Sequence, residues 1–199
     1  AAHYAIDRDR ISISGSSMGG AAVWYLISHY PDLFAAAAPF CGYCDYRLWE
    51  KPGGLTFHMH LWEEPSWRAR SAAFLVENMR HTPLWIVHGE WDRAAGGGVS
   101  VEHSRQMARL LGEKDYSHTY TEVPRTGHGC RRPAIWKQVI PWLLDQRTER
   151  RPRQVSLATY TLRHNRAYWV TIEQLEIYGE RGSVEAVLAE GDALDVATK

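Results

Sequence analysis

The 199-residue chain is short of cysteine, of long apolar runs and of net charge. Three cysteines are too few for a disulfide scaffold, and an odd count leaves at least one unpaired within the chain. The longest run without a polar side chain, residues 33–42, is ten residues, against the ~18 that a membrane-crossing helix needs. Lys+Arg and Asp+Glu number 23 each, so the overall balance draws the chain neither to nucleic acid nor to a membrane surface. The chain opens on Ala1-Ala2-His3 with no Met and no signal-peptide pattern, which leaves open a removed leader or a longer N-terminal part. What is present is an ordinary globular composition, 45% hydrophobic and 23% charged, which argues against a disordered chain. At roughly 150 residues per domain, the length suits one full domain and a smaller piece.

The zero balance is uneven. Residues 125–166 carry ten bases against two acids, and residues 167–199 carry two bases against seven acids. A basic stretch can mark a nucleic-acid patch. A solvated helix and linker, offset by an acidic tail, accounts for it as well, and no nucleic-acid or membrane partner is expected.

Periodicity then gives an order of elements. Residues 10–14 alternate Ile with polar residues and end at Gly15, which predicts a strand. Residues 18–30 predict a buried helix, stopped by Pro31. Residues 34–41 and 83–87 read as buried strands, and 118–123 as another strand. Residues 43–70, rich in Trp, Gly and Pro, read as an irregular insertion or lid, and 71–79 as a short helix. Residues 99–111 predict an amphipathic helix with His103, Met107, Leu110 and Leu111 on one face and Gly112 as its stop. Pro133 opens a last helix with Trp136, Val139, Ile140 and Leu143 facing inward and Pro141 kinking it. Strands alternating with helices predict a parallel sheet covered on both faces. Past the Arg-rich residues 146–153 the period becomes two. Residues 155–162, 168–177 and 183–188 then read as antiparallel strands, a β-sandwich-like appendage. The expected division is therefore 1–150 and 151–199.

The sharpest feature is Gly15-Ser16-Ser17-Met18-Gly19, a G-x-S-x-G between a predicted strand and a predicted helix. That context is the one a nucleophile elbow requires. A tight turn pushes the Ser17 hydroxyl out at the strand's carboxyl end, while Ser16 points elsewhere. The helix N-terminus offers the Met18 backbone N–H as an oxyanion donor. A glycine turn made only for packing is the alternative. A hydroxyl nucleophile needs a base, and the base an orienting acid. Asp92 follows the strand at 83–87, and His128, between Gly127 and Gly129, follows the strand at 118–123. The chain order Ser, Asp, His suits this fold. Glu90 is the reserve acid and Asp45 a further candidate.

Three segments, residues 7–42, 82–92 (TPLWIVHGEWD) and 122–129 (EVPRTGHG), resemble the nucleophile, acid and histidine regions of prolyl-oligopeptidase-type serine hydrolases and related bacterial esterases. The likeness covers about residues 4–148. It implies an α/β-hydrolase fold, with Ser17 as nucleophile, Asp92 as orienting acid and His128 as general base. It implies acyl transfer without a cofactor, on a peptide or a small-molecule ester, while the Trp-rich insertion leans toward a glycan or aromatic ester. The family's sheet begins with several strands before the nucleophile, and these supply the second oxyanion donor. Few residues precede that strand here, so the chain is expected to be the C-terminal part of a longer hydrolase, weakly stable and weakly active alone. A non-catalytic carbohydrate- or nucleic-acid-binding protein is the alternative from another class.

Other features weigh less. Cys41-x-x-Cys44 has redox or metal spacing but no second pair. A disulfide from Cys130 to Cys41 or Cys44 is possible by position, but free buried thiols are the expectation. His58, His60 and Glu63 have ligand-like spacing without the second histidine of a zinc motif, and no metal is expected. Of nine tryptophans, Trp49, Trp62 and Trp67 fall in the insertion and Trp91 beside Asp92. Core and lid packing is the expected role, with stacking on a sugar or aromatic group as the alternative. A β extension after a hydrolase domain is common in secreted bacterial esterases and peptidases, which points toward export and a bacterial source.

Overall fold

The computed structural model describes residues 4–48, 50–51, 55–56, 60, 62–190 and 193–199. In chain order it runs β1 (Ser12–Ser16), α1 (Met18–His29), β2 (Ala36–Phe40), β3 (Glu50–Lys51), β4 (Leu55–Thr56), α2 (Glu64–Arg70), β5 (Leu84–Gly89), α3 (Glu102–Glu113), β6 (His118–Val123) and α4 (Pro133–Asp145). It continues with β7 (Gln154–Thr159), β8 (Arg166–Ala167), β9 (Val170–Thr171), β10 (Gly182–Leu188) and β11 (Leu194–Thr198).

The central sheet has the order β1-β2-β5-β6, with every neighbour parallel. Its two central strands, β2 and β5, are apolar because both of their faces are covered. On one face Ala37, Leu84 and Ile86 meet Val23, Trp24 and Ile27 of α1 and Met107 and Leu111 of α3. On the other, Ala36, Ala38, Phe40 and Val87 meet Val139 and Leu143 of α4, and Phe40 stacks on Trp136 at 4.5 Å. Four consecutive alanines from Ala35, all fully buried, keep β2 thin, so helices approach it closely from both sides. Each large side chain removed from water here contributes roughly 1.5–3 kcal/mol.

Strands β7, β10 and β11 form a separate antiparallel sheet, in the order β11-β10-β7, with the small β8–β9 pair beside it. Val155, Leu157, Tyr168, Val170 and Ala186 make its own core. Asn78 fastens it to the α/β body. Its amide nitrogen donates to Ser28 O (2.6 Å) and Ala158 O (2.9 Å), while its amide oxygen accepts from Ala158 N (2.7 Å). Tyr168 adds bonds to Pro31 O and Asp32.

Several expectations need correction. The helix expected at 71–79 is two 3₁₀ turns, Ala72–Phe74 and Val76–Met79. α2 closes an insertion that read as irregular throughout. The strand expected over 168–177 is cut to Val170–Thr171, because Asn165 and Ile172 bond back to one another. β11 was not expected at all. Gly112 does not stop α3, which runs to Glu113 and is followed by Asp115 at φ 55°. Ile140 of α4 is exposed rather than facing inward.

Candidate active site

The site lies at the carboxyl ends of β1, β5 and β6. β1 and α1 join at Ser17, whose backbone sits at φ 59°, ψ −119°. This conformation is rare for a residue with a side chain and costs about 1–3 kcal/mol. The turn is held from both ends, with Ser17 N donating to Phe40 O and Ser17 O accepting from Ala21 N, each at 2.9 Å. Gly15 makes the turn possible, since a methyl group there would run into the backbone of Gly19. Ser17 is also the N-cap residue of α1, yet its side chain makes no capping bond. A capping serine typically contributes ~1 kcal/mol. Here the hydroxyl turns away from the helix and donates instead to His128 Nε2 at 2.8 Å.

His128 stands on the loop after β6. Its Nδ1–H donates to Asp92 Oδ2 at 2.8 Å. Asp92 follows β5 and is 2% exposed, too buried to remain charged without partners. Its Oδ1 accepts Val99 N at 3.1 Å, and Oδ2 also accepts His88 Nε2 at 3.1 Å. Burial pushes the Asp92 carboxyl up, but the hydrogen bonds from His88 and His128 outweigh it and hold it below the usual value. A serine hydroxyl on an imidazole that rests on a buried carboxylate is a chain that can move a proton off the hydroxyl as it attacks. The Met18 amide, first in α1, has no carbonyl one turn earlier to bond.

Ser17, Asp92 and His128 therefore meet. The reserve acids do not join them. Glu90 accepts the Arg125 amide at 2.7 Å, and Asp45 is bound by Arg47 and Gln106. Cys41 and Cys130 are joined as a disulfide, which overturns the expectation of free thiols for that pair. Cys44 is buried and free, and burial pushes its thiol well up, leaving it inert. The Cys41, Asp92 and His128 ligand atoms lie within 4.8 Å of one another. Even so, the Cys41 sulfur is bonded to Cys130 and the other two to each other, so the group does not fit a metal. His58 and Trp49 lie outside the described residues, while the His60 amide donates to Glu63. Trp62 and Trp91 are 78% and 55% exposed, so neither packs into a core. Sequence reasoning missed His88. Its one signal was its place at the end of β5, four residues before Asp92.

This elbow on a covered parallel sheet defines an α/β-hydrolase fold. The model of the prolyl oligopeptidase family matches residues 1–144, and the chain belongs to that family. It is 30% identical to a thermostable esterase, covering 73% of this chain and 33% of that one, with a TM-score of 0.55. Porphyromonas gingivalis dipeptidyl peptidase 4 shares the fold at 18% identity and a TM-score of 0.60, covering 71% of this chain and 20% of that one. An uncharacterized secreted protein of Arthroderma benhamiae is 39% identical over 135 residues, 62% of this chain and 13% of that protein. The chain thus spans a small part of the relatives it matches. A fungal relative gives no support to the expected bacterial source. Among the described residues no helix is long and apolar enough to cross a membrane.

Proposed function

We propose that the chain carries the catalytic centre of a serine hydrolase acting by acyl transfer. Ser17 is the nucleophile, His128 the general base and Asp92 the acid that orients it. The observation that carries this is the unbroken line from Ser17 Oγ through both nitrogens of His128 to Asp92, with both links at 2.8 Å. As the Ser17 oxygen bonds to the substrate carbonyl carbon, its proton passes to His128 Nε2, and Asp92 stabilises the imidazolium. The oxyanion takes a hydrogen bond from the Met18 amide. The imidazolium then protonates the leaving group, and water, deprotonated by His128, releases the acyl group from Ser17. Residues 1–150 act as the hydrolase unit and 151–199 as an appended β unit.

For substrate we favour a carboxylic ester over a peptide. The thermostable esterase is 30% identical to this chain, against 18% for the dipeptidyl peptidase. A cavity of about 350 Å³ beside Met18 is lined by Trp24, Tyr25, Tyr43, Tyr46 and Arg70, a wall suited to an aromatic or sugar group. The test is hydrolysis of p-nitrophenyl acetate beside an amino-acid p-nitroanilide, with rapid quenching and mass analysis. The reading expects ester turnover and an acetyl adduct on Ser17, absent from Ser17→Ala. An adduct elsewhere, or turnover unchanged by that substitution, overturns it.

A further inference from the structure

We infer that His88 is a positioning residue for this site, holding the Asp92 carboxylate in the one rotation that serves His128. The inference rests on the catalytic reading of Ser17, His128 and Asp92. His88, next to last in β5, is fully buried, and each of its ring nitrogens has a set partner. Nε2 lies 3.1 Å from Asp92 Oδ2 and 3.0 Å from Val99 O. A carbonyl oxygen can only accept, so the hydrogen is on Nε2, shared between the two oxygens. Nδ1 lies 2.7 Å from Ser104 Oγ, and the Ser104 hydroxyl donates to it. Ser104 is 1% exposed on the inner face of α3.

The tautomer of His88 is thus fixed by groups on two sides, and it delivers one N–H to Asp92. The same oxygen, Oδ2, accepts from His128. Val99 closes the arrangement, since its N–H holds Oδ1 while its carbonyl holds His88. The carboxylate is pinned at both oxygens, and rotation about its last bond would break contacts on both sides. A donor on Oδ2 also draws off part of the charge that would otherwise face His128. The other titratable groups around His88 are His103 on α3 and Glu122 on β6. Neither touches Asp92.

The test compares His88→Leu, His88→Gln and Ser104→Ala with the native chain. The readouts are p-nitrophenyl acetate turnover, the rate of fluorophosphonate labelling across pH, and melting. Gln can keep an N–H near the Nε2 position and Leu cannot. A misplacement of about 1 Å at a reacting centre can cost ~10²-fold. His88→Leu is therefore expected to lose between about tenfold and 10²-fold in kcat with KM nearly unchanged. Its acid limb should move to higher pH, because Oδ2 then leans on His128 alone. His88→Gln should recover most of the rate. Ser104→Ala, the milder change, should lower kcat while the fold stays intact. Nitrogen-15 NMR of the native chain should show hydrogen on Nε2 and not on Nδ1 of His88. A folded His88→Leu chain with native rate and pH profile, or hydrogen found only on Nδ1, overturns the inference. If the native chain itself neither turns over nor labels at Ser17, the catalytic reading fails, and the inference with it.

Discussion

Glu90 and Arg125 fasten the acid loop to the histidine loop. The Glu90 carboxylate accepts the Arg125 amide at 2.7 Å, and Arg125 adopts φ 52° to present it. Two backbone bonds run alongside, Glu90 N to Val123 O at 3.0 Å and Trp91 N to Thr126 O at 2.9 Å. Asp92 and His128, thirty-six positions apart, therefore move as one piece. Glu90→Ala removes the charged acceptor, worth about 1–2 kcal/mol. The expected outcome is a fall of a few degrees in Tm and several-fold slower ester turnover, checked by calorimetry and p-nitrophenyl acetate. Glu90→Gln, which keeps an acceptor, should lie between the two.

Gly98 packs directly on the acid, and a methyl group there would run into Asp92 Oδ1. Gly98→Ala is expected to displace the carboxylate from His128 and lower kcat by ~10²-fold. Gly97→Ser is not an equivalent control, because Gly97 has φ 77°. Gly96→Ala, with open space around it, is the fitting control and should leave turnover unchanged.

Cys41 follows β2 and Cys130 lies two residues beyond His128, so their disulfide ties the histidine loop to the sheet. Reduction should add two hydrogens to the intact mass and open two new alkylation sites. Buried Cys44 should stay unmodified until the chain unfolds. Ester turnover is expected to fall on reduction as the His128 loop loosens. An unchanged mass on reduction, with three thiols alkylated in the unfolded but unreduced chain, would contradict the pairing.

Acid should destabilise the fold in a defined window. Burial, with His88 nearby, lowers His103 to about 4; burial, then His29 and Arg163, lowers His164 to about 4. Both pKa values lie below the unfolded value near 6.5. Between those limits the unfolded chain binds more protons, so stability is full above about pH 6.5 and falls as pH drops toward 4. Asp92, lowered from its ordinary value, adds a loss at still lower pH. Tm measured from pH 7.5 to 4 should hold level down to about 6.5 and fall from there, more shallowly in His103→Asn.

How much of this was legible in the sequence depends on where the information is local. The turn at Ser17 was legible because Gly15 and the helix start lie within a few residues of it. β2 and β5 were legible as apolar runs. α3 was expected from Val99 but begins at Glu102. The Val99 and Val101 amides are taken by Asp92, through Oδ1 and the backbone carbonyl, so these residues serve the site rather than the helix. Residues 168–177 have strand alternation, but the bonds between Asn165 and Ile172 close the chain on itself as the short β8–β9 pair, a contact seven residues apart that alternation does not reveal. His88 was not legible because a histidine at the end of a buried strand looks like any satisfied core histidine. Its meaning comes from Val99 and Ser104, 11 and 16 residues later.

The central claim is that Ser17 is an activated nucleophile, and labelling with a fluorophosphonate tests it most directly. The adduct would be located by mass spectrometry in the native chain, in Ser17→Ala and in His128→Ala. The account predicts one adduct, on Ser17, absent from the first variant and strongly slowed in the second. An adduct on another residue, or labelling of Ser17 that is indifferent to His128, would contradict it.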